Sequence, residues 1–340
     1  MASDLLASLG VTLPVLAAPM AGGPGTPALA SAAAAAGSLG FVAGGYKTSD
    51  AFADELAAVS VPCAVNLFAP NPVPVSREEF RRYASLLAPE AARYGLSLSG
   101  DEPVEDDDQW AAKLDVLRAH PVPLISFTFG IPAPSDLSLL RATGARLAQT
   151  VTTVDEARAA ASAGVDCLVV QAVFAGGHSA TLDPRRPLVE TPLPSLVAAI
   201  SAAVRLPLIA AGGISSADDV AAAVRAGADA VAVGTLLLRC DEAGTSPTHR
   251  SALAGSRPTV LTHAFTGRPA RGLRNEFIDR YEALAPYGYP ALHHLTSPMR
   301  RAAAAAGDPE RVHLWAGTGY RHATEEPAAA ILTRLAGQLT

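Results

Sequence analysis

The sequence has few charged residues, and it has no long run of one charge. Of its 340 residues only 17% are charged while 49% are hydrophobic, and the net charge is −6. Disordered chains are poor in apolar residues and rich in charge, so this composition excludes disorder for most of the chain. The lack of a basic face also argues against nucleic acid as a main partner, because neutralising phosphates requires clustered Lys and Arg.

Cysteine is scarce as well. The three cysteines, Cys63, Cys167 and Cys240, are too few and too scattered for a disulfide framework or a structural zinc site. Two of them lie in apolar runs, where a buried thiol is the usual state. The neighbouring acids at 106–108 do not predict a metal site, because adjacent carboxylates at a helix start point apart. We therefore expect no disulfide and no metal, and a reducing cytoplasm as the location.

The sequence also lacks a continuous apolar segment long enough to cross a membrane. No charged residue occurs between Asp4 and Lys47, but prolines and glycines interrupt this stretch repeatedly. A membrane span needs about 20 consecutive, strongly apolar residues. No basic segment followed by an apolar one opens the chain, so we expect neither a secretory signal nor a membrane partner.

What the sequence does contain is a repeated unit, in which an alanine-rich helical segment ends at glycine and a short apolar run follows. Glycine suits the left-handed position after a helix, and short apolar runs are typical of strands buried on both faces. Eight β-then-α units indicate an α/β protein with a (β/α)8 TIM barrel, and a doubly wound open sheet is the alternative. The predicted strands begin near Val15, Leu39, Val61, Leu124, Arg146, Cys167, Pro207 and Ala230.

Two segments do not fit the repeat, and they predict the domain organisation. The step between the third and fourth strands is long and contains a helical pattern over 77–95, so we expect a helical insert at about 70–120. After Arg239 the repeat is complete and the composition changes. We predict a barrel over 1–240 and a small, mainly helical C-terminal region over 241–340, with a substrate lid and a return helix as its expected parts.

The glycines after the last two predicted strands point to bound phosphate. In this barrel type the active site lies at the carboxyl ends of the strands. Gly212 and Gly213 follow the seventh strand, and Gly234 and Thr235 follow the eighth. Bare amides beside the positive end of a helix dipole form an anion hole, and these two loops are the usual phosphate site of the fold. The alternative is that the glycines only permit tight turns.

Among the eight histidines, His178 has the strongest functional signal. It follows the sixth strand in a glycine-rich loop, where Gly176 and Gly177 remove the side chains that would screen it. The alternative for this residue is a structural histidine. We interpret four others as surface residues, namely His120, His249, His293 and His322.

Long motifs over essentially the whole chain resemble the nitronate monooxygenases, formerly called 2-nitropropane dioxygenases, and in particular their bacterial class I branch. They include APMAGGPGTPALASAAAAAGSLGFVAGGY, QAVFAGGHSA, LPLIAAGGISSADDV, AFTGRPARGLRN and LWAGTGY. The resemblance implies FMN, bound without a covalent link at the mouth of the barrel, and it makes His178 the catalytic histidine. With the glycines above, it assigns to the flavin Met20, Ala21, Asn66, Gln171, Gly176, Gly177, Gly212, Gly213, Ala232, Val233, Gly234 and Thr235.

The resemblance also implies an activity, the FMN-dependent oxidation of alkyl nitronates of the propionate 3-nitronate type by O₂. The products would be a carbonyl compound and nitrite or related nitrogen oxides, and no NAD(P)H would be consumed. His178 would position the anionic nitro group, or act as general base on a neutral nitroalkane, since the ordinary pKa of histidine lies near working pH. It implies no individual role for the expected lid residues Tyr287, Tyr289, His293 and His294, and it leaves the oligomeric state open.

Three other functions remain open at this point. The first is an NAD(P)H-dependent flavin reductase of the same barrel type, such as a quinone or enoyl reductase. The second is a flavin- or phosphate-binding barrel without catalysis. The third is a phosphosugar lyase or isomerase, although we expect no lysine at a strand end, which argues against Schiff-base chemistry.

Overall fold

The predicted repeat folds into a barrel, seen in a computed structural model that describes residues 4–98, 100 and 102–339. Its strands are β1 Val15–Ala17, β2 Phe41–Ala43, β3 Ala64–Ala69, β4 Leu124–Phe129, β5 Arg146–Val151, β6 Cys167–Gln171, β8 Leu208–Ala211 and β9 Ala230–Val233. These eight pair in parallel in the order β1-β9-β8-β6-β5-β4-β3-β2. A parallel bridge between Ala17 and Gly40 joins the two outer strands, so the barrel is confirmed and the open sheet is wrong.

Every predicted strand is present within three residues of its expected start. The largest offset is at β3, which begins at Ala64 and not at Val61. Pro62 lies between these two positions and has no amide hydrogen for a strand ladder, so regular pairing starts only after it.

Helices connect the strands and cover the outside of the barrel. Hydroxyl side chains begin several of them, as where Thr153 accepts a hydrogen bond from the Glu156 amide. The helices are α1 Asp4–Ser8, α2 Pro27–Ala35, α3 Ser49–Ala57, α4 Arg77–Ala92, α5 Trp110–Ala119, α6 Pro134–Arg141, α7 Val154–Ala163, α8 Leu193–Ala203, α9 Ala217–Arg225, α10 Pro247–Leu253, α11 Glu276–Tyr281, α12 Ala291–Ala305 and α13 Ala328–Leu335.

The alternation of side chains along each strand divides the core into two layers. In β6, Leu168 and Val170 belong to the layer between strands and helices, while Cys167 and Val169 belong to the barrel interior. The next residue with interior parity is Gln171, at the carboxyl end of the strand. All three cysteines are buried and unpaired, and burial was expected for the two that lie in apolar runs.

A second, small sheet connects the barrel to the later part of the chain. Its strands are β7 Gly177–His178, β10 Thr259–Thr262 and β11 Ala270–Leu273, and β11 pairs antiparallel with both others. The insert helices α4 and α5 lie between β3 and β4, and α13 packs its apolar face into the barrel core. The boundary at residue 240 stays a prediction. Among the described helices, none is long and apolar enough to cross a bilayer.

Candidate active site

A cavity of about 540 Å³ opens at the carboxyl ends of the barrel strands. Every site residue expected from the sequence lines this one cavity, although the first and the last of these residues lie more than 200 positions apart in the sequence. These residues are Met20, Ala21, Asn66, Gln171, Gly176, Gly177, His178, Gly212, Gly213, Ala232, Val233, Gly234 and Thr235. The structure brings them together, and their individual roles stay predictions.

Polar side chains of β3, β4 and β6 line the cavity. Asn66 Nδ2 donates hydrogen bonds to Ser126 Oγ at 2.9 Å and to Thr128 Oγ1 at 3.0 Å. Gln171 Nε2 donates to the His178 carbonyl oxygen at 3.2 Å, and its Oε1 accepts from the Ala180 amide at 2.8 Å. The Gln171 amide therefore holds the loop that carries His178, a role that the sequence did not suggest.

His178 lies between aromatic rings and two arginines. Trp315 and Phe129 pack edge-on at ring-centroid distances of 5.5 Å and 5.7 Å. Burial, together with the charges of Arg268 and Arg300, lowers the pKa of His178 to about 3. The imidazole is thus neutral at pH 7. The expected pKa near working pH is wrong, because the partly buried ring is desolvated and lies near positive charge, and positioning of an anion by histidine charge is not available.

Comparison with known proteins agrees with this site. A model of the nitronate monooxygenase family matches residues 3–337. A probable nitronate monooxygenase of Staphylococcus aureus (strain Newman) is 36% identical, over 97% of this chain and 95% of that protein. The chain belongs to the nitronate monooxygenase family. This confirms the resemblance, and with it an enzyme: a flavin-dependent oxidoreductase that acts on nitro compounds.

Solved structures extend the comparison. The nitroalkane oxidase of Streptomyces ansochromogenes is 43% identical, with a TM-score of 0.91 and coverage of 98% of this chain and 97% of that chain. FabK of Thermotoga maritima is 24% identical, with a TM-score of 0.76 and coverage of 98% and 94%, and at that identity it shows a shared fold.

One end of the cavity in this nitronate monooxygenase family member fits a flavin phosphate. Gly213 has a φ of +84°, and a Cβ atom there would lie 3.2 Å from the Phe174 side chain. Within the described chain, the amides of Gly213, Gly234 and Thr235 donate to no other protein group. A second strand-end loop and the 315–319 segment meet here, since the Gly317 amide donates to Thr235 Oγ1 at 2.9 Å. A phosphate group binds to free backbone amides that no side chain covers.

The lining of the cavity also carries positive charge without a counter-ion. Among the described residues that line the cavity, none is Asp or Glu. Arg300 is only 4% exposed and is held through Nε, which donates to Thr296 Oγ1 at 3.0 Å, and through Nη2, which donates to the His293 carbonyl oxygen at 3.1 Å. Its Nη1 has no protein partner in the part of the chain that is described. A buried guanidinium without a carboxylate is costly, so the part of the cavity around Arg300 is suited to bind an anion.

Three expectations about individual residues are wrong. His249 is 8% exposed and lines the cavity, and His293 lines it too, with its ring stacked on Tyr46 at 4.0 Å. A lysine does follow a strand end, since Lys47 Nζ donates to the Ala43 carbonyl oxygen at 2.8 Å, but it lies outside the cavity and pairs with Glu55. His120 and His322 are exposed as expected. Burial of the two wrongly placed histidines depends on long-range packing that their neighbours in sequence do not reveal.

The four expected lid residues separate into two pairs. Tyr289 is 8% exposed and packs edge-on against Phe129 at 5.2 Å, next to His293. Tyr287 stacks on His263 at 4.4 Å, and His294 pairs with Asp106 at 3.0 Å, both outside the cavity. Of these four residues, His293 lines the cavity, and Tyr289 packs behind it against the lining residues Phe129 and His293.

Four residues of the site were missed by sequence analysis: Tyr46, Thr266, Arg300 and Trp315. Tyr46, Thr266 and Trp315 each lie within one of the motifs that carry the family resemblance, which is the signal that could have found them, whereas Arg300 lies in none of these motifs.

Proposed function

We propose that this chain uses FMN and O₂ to oxidise anionic alkyl nitronates of the propionate 3-nitronate type. The products are a carbonyl compound and nitrite or related nitrogen oxides, and NAD(P)H is not required. The observation that carries this proposal is the electrostatics of the cavity, which is lined by free amides and by Arg300 with an unpartnered Nη1, and by no carboxylate in the described chain. Such a cavity is suited to two anions at once, the cofactor phosphate and an anionic substrate.

Met20, Gly213, Gly234 and Thr235 would hold the FMN, with the phosphate group at the free amides. When bound, FMN would accept electrons from the electron-rich nitronate and pass them on to O₂. No adenine-binding G-x-G-x-x-G turn accompanies the phosphate loops, which favours FMN over FAD. Cofactor released by heat and separated by chromatography tests this, and stoichiometric FAD would contradict it.

The protein's own residues would orient the substrate and limit the access of water to it. Neutral His178 lies beside Trp315 and Phe129, which pack edge-on against its ring. Arg300 offers its Nη1 to the carboxylate of the substrate. Hydrogen bonds to a charged group contribute about 1.5–3 kcal/mol, or roughly tenfold or more in affinity.

The test compares propionate 3-nitronate with 1-propyl nitronate, which lacks the carboxylate. We expect O₂ uptake and nitrite release with both, no oxidation of NADH under anaerobic conditions, and a kcat/KM about tenfold or more in favour of the carboxylated substrate. Replacement Arg300→Gln should bring the two substrates close together. NADH oxidation without nitronate turnover would instead support the flavin reductase.

Replacement His178→Asn separates two roles of the histidine. A nitroalkane must lose a proton from carbon, and positioned general bases contribute about 10²–10⁴ in rate. A preformed nitronate has already lost that proton. We expect a larger loss of kcat/KM for nitroethane than for ethyl nitronate, with flavin content unchanged. Equal losses would restrict His178 to positioning the anion, and no loss for either would make it structural.

A further inference from the structure

Both ring nitrogens of His178 face hydroxyl groups from distant parts of the chain. Nε2 lies 2.8 Å from Thr266 Oγ1, and Nδ1 lies 3.5 Å from the Tyr46 hydroxyl oxygen. Thr266 is 1% exposed and belongs to the turn between β10 and β11. The two contacts differ, because 2.8 Å is an ordinary hydrogen-bond length and 3.5 Å is at the outer limit.

The direction of the shorter bond follows from the buried groups around Thr266. Its hydroxyl has one hydrogen and two acceptors within reach, His178 Nε2 and the Arg268 carbonyl oxygen at 3.2 Å. Arg268 is 0% exposed, and no other donor in the described chain reaches its carbonyl oxygen. Buried carbonyl groups are almost always paired, so the Thr266 hydrogen belongs to Arg268. Thr266 Oγ1 must then accept a hydrogen from His178 Nε2, which leaves the lone pair on Nδ1.

We infer that Thr266 is a positioning residue, which fixes His178 as the Nε2–H tautomer and makes Nδ1 the atom that accepts the proton of a nitroalkane. This rests on the proposed function. In the step, the proton leaves the carbon next to the nitro group and binds Nδ1. The C–H electron pair stays on the substrate, where the nitro oxygens carry the negative charge. His178 becomes an imidazolium whose charge is paired with the nitronate formed beside it, which opposes the effect of burial and of the two arginines on the pKa of His178. Thr266 keeps its hydrogen bond to Nε2–H throughout.

The small sheet holds Thr266 in place for this purpose. Ala270 of β11 pairs with His178 of β7, and the Ser179 amide donates to the Pro269 carbonyl oxygen at 2.8 Å. The turn that carries Thr266 is therefore fixed directly to the loop that carries His178. A change at Thr266 is expected to act on the histidine without touching the flavin end of the cavity.

The first test determines the tautomer of His178 and does not depend on enzymatic activity. Nitrogen-15 NMR of the histidine rings is recorded on the flavin-loaded wild type at pH 7, with His178 identified by its absence from His178→Asn. We expect the proton on Nε2. Thr266→Ser keeps the hydroxyl and should give the same ring spectrum, whereas Thr266→Val should lose the fixed tautomer. A wild-type proton on Nδ1 would overturn the inference, and this spectrum needs no variant of Thr266 to fold.

The second test measures kcat/KM for the two substrate forms. Thr266→Val should lower kcat/KM for nitroethane about tenfold or more, as expected for a misdirected general base, and should change the value for ethyl nitronate little. Thr266→Ser should restore the nitroethane value. Thr262→Val, which removes another buried hydroxyl that does not contact His178, serves as the control for general effects on packing.

The two tests distinguish the two proposals. An unchanged ring spectrum and an unchanged nitroethane rate in Thr266→Val would overturn the role of Thr266. Equal losses on both substrates with an unchanged ring spectrum would also overturn it. If the wild type oxidises neither substrate but shows a Thr266-dependent proton on Nε2, the proposed function fails while the tautomer assignment is supported.

Discussion

Gly213 shows at the residue scale how backbone conformation and ligand binding coincide. Its φ of +84° lies in the left-handed region that favours glycine, and its free amide faces the cavity end assigned to phosphate. A side chain there would be strained, would press on Phe174 and, if acidic, would repel a phosphate group. Other glycines would also be strained by a side chain but lie outside the cavity. A matched pair of variants can therefore separate backbone strain from the effect on phosphate binding.

Replacement Gly213→Asp should therefore release the flavin. The matched control is Gly144→Asp, because Gly144 has a φ of +90°, is exposed and lies outside the cavity. Absorbance of the purified proteins gives the flavin-to-protein ratio. We expect a colourless Gly213→Asp protein and a fully yellow Gly144→Asp protein. Equal loss from both would assign the effect to strain, and full retention in Gly213→Asp would remove the phosphate site from this loop.

At the scale of elements, the insert helix α4 supports the turn between β10 and β11 that carries Thr266. Tyr83 of α4 donates its hydroxyl hydrogen to the Ala264 carbonyl oxygen at 2.6 Å, two residues before Thr266. The same helix carries buried Glu90, which accepts from Arg311 Nε at 2.9 Å and from Arg280 Nη1 at 2.6 Å. Paired arginines lower the pKa of Glu90 below its usual value although burial opposes this. One carboxylate thus joins the insert to α11 and to the 309–311 turn.

Replacement Glu90→Ala should cost about 3 kcal/mol of unfolding free energy, because removing one partner leaves Arg311, only 4% exposed, without its main counter-charge. The control is Glu78→Ala on the same helix, where an exposed residue should change stability by about 0.5 kcal/mol or less. Urea denaturation of both variants with saturating flavin provides the comparison. A loss for Glu90→Ala no larger than that of the control would mean that the remaining acids around Arg311 suffice.

At the scale of the whole molecule, burial of several imidazoles around one cavity makes stability depend on pH. Burial is the main cause that lowers the pKa of His178, His249, His293 and His313. For His249 the folded value is about 4, against an ordinary value of 6.5. Below pH 6.5 the unfolded chain therefore binds a proton that the folded chain does not. The resulting stability is complete above the unfolded pKa and is lost as pH falls toward 4.

This linkage predicts that His249 alone removes about 2 kcal/mol of unfolding free energy between pH 7 and pH 5. Replacement His249→Gln keeps a polar side chain but cannot gain a proton. Between pH 7 and pH 5 the unfolding free energy of this variant should therefore fall less than that of the wild type, and the difference should equal the contribution of His249. Denaturation curves of both proteins at pH 7 and pH 5, with saturating flavin, measure the difference. Parallel losses in the two proteins would show that His249 is protonated equally in the folded and unfolded chains.

The sequence by itself determined the barrel and its ligand-binding end. Short apolar runs that alternate with glycine-terminated helices are local signals. A strand buried on both faces requires apolar residues, and a left-handed helix end favours glycine, wherever in a chain these features occur. For the same reason, Gly213, Gly234 and the His178 loop are recognisable from residue type and order alone. Once parallel strands close into a barrel, their carboxyl ends must meet at one mouth, so these residues were expected together.

Only the tertiary structure decided how His178 is surrounded. Thr266 lies 88 positions from it and Tyr46 lies 132 positions from it, and nothing in their neighbouring sequence announces the contact. The pairing of β11 with β7 brings Thr266 to Nε2, and the packing of α12 brings Arg300 toward the cavity. Tautomer and pKa depend on these neighbours and on exclusion of water, which are properties of the packed site and not of histidine as a residue type.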